Sequence, residues 1–111
     1  MKTIHYAGEI LLTGDDIADA VVALAAALAR RESSAAIDIP VRFDGGEVRF
    51  ASLLIGPASQ LIVESSVGEA EELLDLPLVE RLARETQLLG TVQAQPESAP
   101  LVDPYDDFGL A

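Results

Sequence analysis

The stretch from Asp15 to Arg31 constrains this chain more than any other. Ile17, Val21, Leu24 and Leu28 recur at spacings of four, three and four, which stacks them in one stripe of an α-helix. Asp15 and Asp16 open the helix and Arg30 and Arg31 close it, each at the end where the helix dipole favours its charge. Thr13 or Asp15 is the expected cap for the free amides at its start. The other faces are not polar. Ala18, Ala23, Ala25, Ala26, Ala27 and Ala29, with Val22, cover most of the other faces, and a helix apolar all round is buried on more than one side. A sheet takes one side, which leaves the second to the later helix or to the same helix of another subunit. Ala26, within this alanine flank, is the candidate contact for such a partner.

The flanking segments predict strands. Lys2 to Tyr6 is one, with Ile4 and Tyr6 on a shared face. Ala7-Gly8 either closes a tight turn into a second strand at Glu9 to Leu12 or lies within one longer bent strand, since alanine is an unusual residue for positive φ. After Ser33-Ser34, the residues Ile37, Ile39, Val41 and Phe43 alternate with Asp38, Pro40 and Arg42, the pattern of a half-buried strand. Pro40 lacks a ladder donor, which implies an edge strand or a locally unpaired position. Asp44-Gly45-Gly46 marks a hairpin turn, and the return strand ends in Leu53-Leu54-Ile55, a two-sided apolar run expected at the centre of a sheet. A loop at Gly56-Pro57-Ala58-Ser59 leads to a third strand, so Ala35 to Ser65 predicts an antiparallel meander.

A short helical turn is expected in the acidic stretch Ser66 to Asp75. A second helix follows, with Asp75 as cap, Pro77 in its first turn, Leu78, Leu82 and Leu89, with Val79 and Leu88 beside them, on its apolar side and Gly90 as its stop. Thr91 to Pro104 has the composition of a linker. The order β(β)αβββα makes an α+β fold, a largely antiparallel sheet with two helices packed on one face. Residues 1–90 form the single domain, and 91–111 form a flexible acidic C-terminal tail.

Charge narrows the function classes. The 111 residues carry a net charge of −12. Residues 1–62 hold 8 acids and 5 bases, whereas 63–111 hold 11 acids and 2 bases. Phosphate backbones and anionic lipid surfaces are bound through Lys and Arg, so neither nucleic acid nor a membrane is an expected partner. A basic protein partner is compatible with the charge, as is plain solubility. There is no cysteine, hence neither a disulfide framework nor a Cys-based zinc site. No run reaches the about 20 apolar residues of a membrane span, and the first dozen residues lack a secretory pattern. A cytoplasmic domain is expected.

Little in the chain suggests reactive chemistry. His5 is the only histidine, no cysteine exists to pair with it, and no Gly-x-Ser-x-Gly elbow is present. Asp15, Asp16 and Asp19 lack the spacing of a calcium loop and are explained by the helix start. Gly56-Pro57-Ala58-Ser59-Gln60 is the most distinctive string, a connection shaped by Gly and Pro or a rigid presentation of Ser59 and Gln60. In the tail, Tyr105, Phe108 and Leu110 stand among acids, a pattern that docks on a groove or adds to a sheet edge. Thr13-Gly14-Asp15, Ile39-Pro40-Val41 and Leu54 to Gln60 together resemble a set of small actinobacterial proteins of no assigned function, over residues 4 to about 90. That resemblance implies no activity and supplies no catalytic residue. The expectation is a non-enzymatic interaction domain that self-associates as a homodimer or assembly subunit, without cofactor or metal, through Ala26 and the tail residues Tyr105, Phe108 and Leu110. The alternative is a small-molecule-binding or enzymatic domain with a pocket between sheet and helices, using His5, Tyr6, Ser59 and Gln60.

Overall fold

The structure, a computed structural model, describes residues 1–43, 46–66, 68 and 71–93. Its elements run β1 (Lys2–Tyr6), β2 (Glu9–Thr13), α1 (Asp15–Arg30), β3 (Ala35–Arg42), β4 (Val48–Ile55), β5 (Leu61–Ser65) and α2 (Leu76–Gln93). The fold is α+β, with five antiparallel strands in the order β4-β3-β2-β1-β5. Both helices pack on one face.

Two hairpins build the sheet. Ala7 and Gly8 adopt φ of +51° and +82° and join β1 to β2, so residues 2–13 form a hairpin and not one bent strand. Positive φ at both turn positions matches the right-handed twist of the flanking strands. At the second hairpin, the Phe43 N–H donates to the Glu47 carbonyl at 2.7 Å. Counting outward from these turns fixes where each backbone points, because directly hydrogen-bonded pairs alternate along an antiparallel ladder. On β3 and β4 the even-numbered residues turn their N–H and C=O groups away from each other. On β5 it is Leu61, Val63 and Ser65 that turn theirs away from β1.

Pro40 follows from this count. Its missing N–H would face β2, but β2 meets β3 only at Leu12 and Arg42 and then leaves for α1. The proline therefore sits at a locally unpaired position of an interior strand, not on an edge. Its carbonyl, facing the same way, accepts the hydroxyl of fully buried Thr13 at 2.7 Å.

The expected meander is corrected. β5 pairs with β1 and not with β4, and β4 is an edge strand, with Leu54 61% exposed rather than central. In a flat sheet β4 and β1 would lie about 14 Å apart, three strand spacings. Yet the Tyr6 hydroxyl donates to the Leu54 carbonyl at 2.6 Å and accepts from the Leu54 N–H at 3.2 Å. The sheet is thus curled until the outer edge of β4 faces the end of β1, and residues 56–60 need only step across the remaining gap.

The curled sheet wraps a core of Ile4, Ile37, Ile39, Val41, Leu53 and Ile55 against Ile17, Val21, Leu24 and Leu28 of α1. Leu78 and Leu82 complete it from α2. The two helices run side by side in the same direction: a carboxylate just ahead of α2 meets the start of α1, and Arg31 donates to the Leu89 carbonyl at 3.1 Å. α2 passes through Gly90 to Gln93, because glycine lowers helix propensity without forbidding it. It therefore crosses the expected domain boundary at residue 90 by three residues. Residues 71–75 are not helical. Asp75 caps α2 as expected, accepting the Leu78 N–H at 3.2 Å.

The start of α1 is built differently from the expectation. Gly14 is its N-cap and supplies no side chain, and the Thr13 hydroxyl is already committed to Pro40. The Asp15 N–H instead donates to Glu72, 57 residues away, at 2.6 Å. A Cβ on Gly14 would lie 2.0 Å from the Leu73 carbonyl oxygen, so only glycine lets the 72–73 segment come this close.

Candidate functional site

α1 has buried its stripe, but not its alanine flank. Val22, Ala23, Ala26 and Ala29 remain exposed, Val22 by 42%. Val22, Ala26 and Ala29 follow one another at spacings of four and three, so they share a line along the helix. That line faces β5. Together with Pro57 and the half-buried Leu61 and Val63 it borders an open depression of about 420 Å³. Among the described residues no strand pairs with the far edge of β5. Leu61 and Val63 aim their backbone N–H and C=O groups out along that edge, by the alternation fixed at the hairpin. A small-residue helix face and an open strand edge are therefore adjacent on one side of the molecule.

The four residues of the alternative site do come together. His5, Tyr6, Ser59 and Gln60 line one open depression of about 700 Å³ at the turn end of β1, walled by strands and loops and not, as expected, between sheet and helices. Their polar atoms, however, are largely spent. Tyr6 both donates to and accepts from the Leu54 backbone. Ser59 Oγ donates to the same Leu54 carbonyl and accepts the Gly56 N–H, both at 3.1 Å. The two hydroxyls act as a latch holding the β4 edge to the end of β1. Gly56 belongs to the same device, since a Cβ there would lie 2.7 Å from Ser34 Cβ. His5 Nε2 lies 3.0 Å from a Glu64 carboxylate oxygen on the outer sheet face. Only Gln60 has no recorded side-chain bond among the described residues.

The charged groups near the start of α1 form a second cluster. The Met1 ammonium lies 2.8 Å from Glu72 and 3.0 Å from Asp15, and the Lys2 ammonium 2.7 Å from Asp19. Hydrogen bonds to Glu72 and Asp15 raise the pKa of the terminal amine, and the bond to Asp19 raises that of Lys2. The ammonium and the Asp15 N–H hold the Glu72 carboxyl below its ordinary value. Asp15 and Asp19 of the helix start are thus ion-pair partners. No group of three or more His, Asp or Glu side chains is placed to hold a metal ion among the described residues.

The structure leaves Ala26 exposed on the flank of α1, and the strand expected after Ser59 is present, but its place at an open edge was missed, because an edge depends on strand order and no local pattern encodes that order. Tyr105, Phe108 and Leu110 lie outside the described residues. No helix among the described residues is long and apolar enough to cross a membrane. No protein-family model, curated protein or solved structure matches the chain.

Proposed function

We propose that this chain is a non-enzymatic interaction domain that works as a homodimer or assembly subunit, joined through the flank of α1 and the outer edge of β5. The observation that carries this reading is the line Val22, Ala26 and Ala29, exposed beside the half-covered Leu61 and Val63. Alanines let two helices approach closely, and a two-fold axis beside β5 sets two antiparallel copies of that strand edge to edge. One operation then covers the helix flank and satisfies the outward amides of Leu61 and Val63. The outer sheet face is a poorer candidate. Ile10, Val48, Phe50, Leu54 and Ile62 are exposed there, but they are interspersed with Asp38, Arg42 and the His5–Glu64 pair, which mark a solvated surface.

Light scattering coupled to size exclusion tests the reading. The wild-type chain is expected to elute as a dimer at micromolar concentration. Ala26→Glu places a charge in the seam and gives a folded monomer, whereas Glu71→Gln, remote from the seam, leaves the dimer intact. A wild-type monomer at these concentrations overturns the proposal.

A further inference from the structure

At the C-terminal ends of the two parallel helices the described residues leave an opening to the core. Buried Leu24 and Leu28 floor a depression of about 320 Å³ whose walls include Ala35, Leu88 and Leu89, with Arg31 and Glu85 on its rim. Leu88 is 58% exposed at this opening. Arg30 and Arg31 end α1 here, and Arg84 lies one turn before Leu88 on α2. None of these three guanidinium groups pairs with a carboxylate among the described residues, in a chain of 19 acids.

The chain leaves α2 one turn beyond Leu89. Residues 94–100 contain Pro96 and Pro100, and Leu101-Val102-Asp103 follows. Seven residues span up to about 24 Å when extended, and the opening lies about 6 Å back along the helix, four residues at 1.5 Å each. The reach is ample for a reversal. What arrives is an aliphatic pair suited to an apolar floor, followed by Asp103, Asp106 and Asp107.

We infer that residues 101–103 of this chain fold back on their own domain, seating Leu101 and Val102 between α1 and α2 with Asp103 facing Arg30 and Arg31.

The absence of cysteine permits a direct test in the full chain. Leu88→Cys with Val102→Cys is oxidised and compared with Gln87→Cys plus Val102→Cys, because position 87 is turned about 100° from 88 on the helix. The expected result is an intrachain disulfide that forms at least about tenfold faster at 88 than at 87. Replacing Arg30 and Arg31 with Ser slows the 88 pair toward the control rate. Equal rates at 87 and 88 overturn the inference. Disulfide-linked dimers from the 88 pair also overturn it, in favour of a second copy's tail as the occupant.

Discussion

Two residues with a Cβ stand where the backbone prefers none. Glu32 has a φ of +52° just past α1. Its N–H donates to the Ala29 carbonyl and that of Ser33 to the Leu28 carbonyl, at 3.1 and 2.9 Å. This is a Schellman ending, in which the position after the cap is usually glycine. A side chain in the left-handed region costs roughly 1–2 kcal/mol, offset in part by the chain entropy that glycine regains on unfolding. Glu32→Gly is therefore expected to raise stability by about 0.5–1 kcal/mol in urea titrations, with an unchanged m-value. The other residue is Ala7, in the β1–β2 turn. Alanine at positive φ is what left a hairpin and one long strand equally open in the sequence. Gly14 is the opposite case: its closeness to Leu73 follows from a contact 59 positions away and left no local mark.

Among the elements, α1 owes its position to a distant carboxylate. Glu72 caps its first turn through Oε2 and pairs with the terminal ammonium through Oε1. The sign of the pH dependence follows. Glu72 has a folded pKa below its ordinary 4.5, so its contribution is present above that value and is lost as pH falls through the lowered one. The amine has a folded pKa above its ordinary 8.0, so its contribution is present below 8.0 and is lost as pH rises through the raised one. Glu72→Gln is expected to lower the urea midpoint most between these two ordinary values. The gap to wild type closes in acid and narrows only partly in base, where the bond to the Asp15 N–H survives. A gap that stays constant from pH 3 to pH 7 would show that Glu72 acts through packing. Periodicity made both helices, the strand segments and the buried stripes of α1 and β3 legible, because those signals are local, whereas the two-sided apolar run of β4 misled and the division of residues 2–13 into two strands stayed open. Strand order was not legible, since it rests on the curl that brings Tyr6 to Leu54, and Glu72 could not be told from its acidic neighbours.

For the whole molecule, the two proposed contacts differ in their physics, and salt separates them. Each chain carries a net charge of −12, so two copies repel at long range, while the seam of Val22, Ala26, Ala29, Leu61 and Val63 is apolar. Screening shortens the repulsion from about 30 Å at 0.01 M to about 8 Å at 0.15 M and leaves apolar burial in place. Dimerisation is therefore expected to strengthen as salt rises from 0.01 to 0.3 M, by severalfold in dissociation constant measured by sedimentation. The tail contact joins Asp103 to Arg30 and Arg31 and weakens over the same range, read as slower formation of the 88–102 disulfide. Val63→Pro provides the check on the strand edge. It removes an amide that points away from β1, so the ladder with β1 survives while the outward donor is lost. The variant is expected to stay folded, to be monomeric at every salt concentration, and to keep the salt response of its tail. A Val63→Pro dimer as tight as wild type would move the seam away from β5.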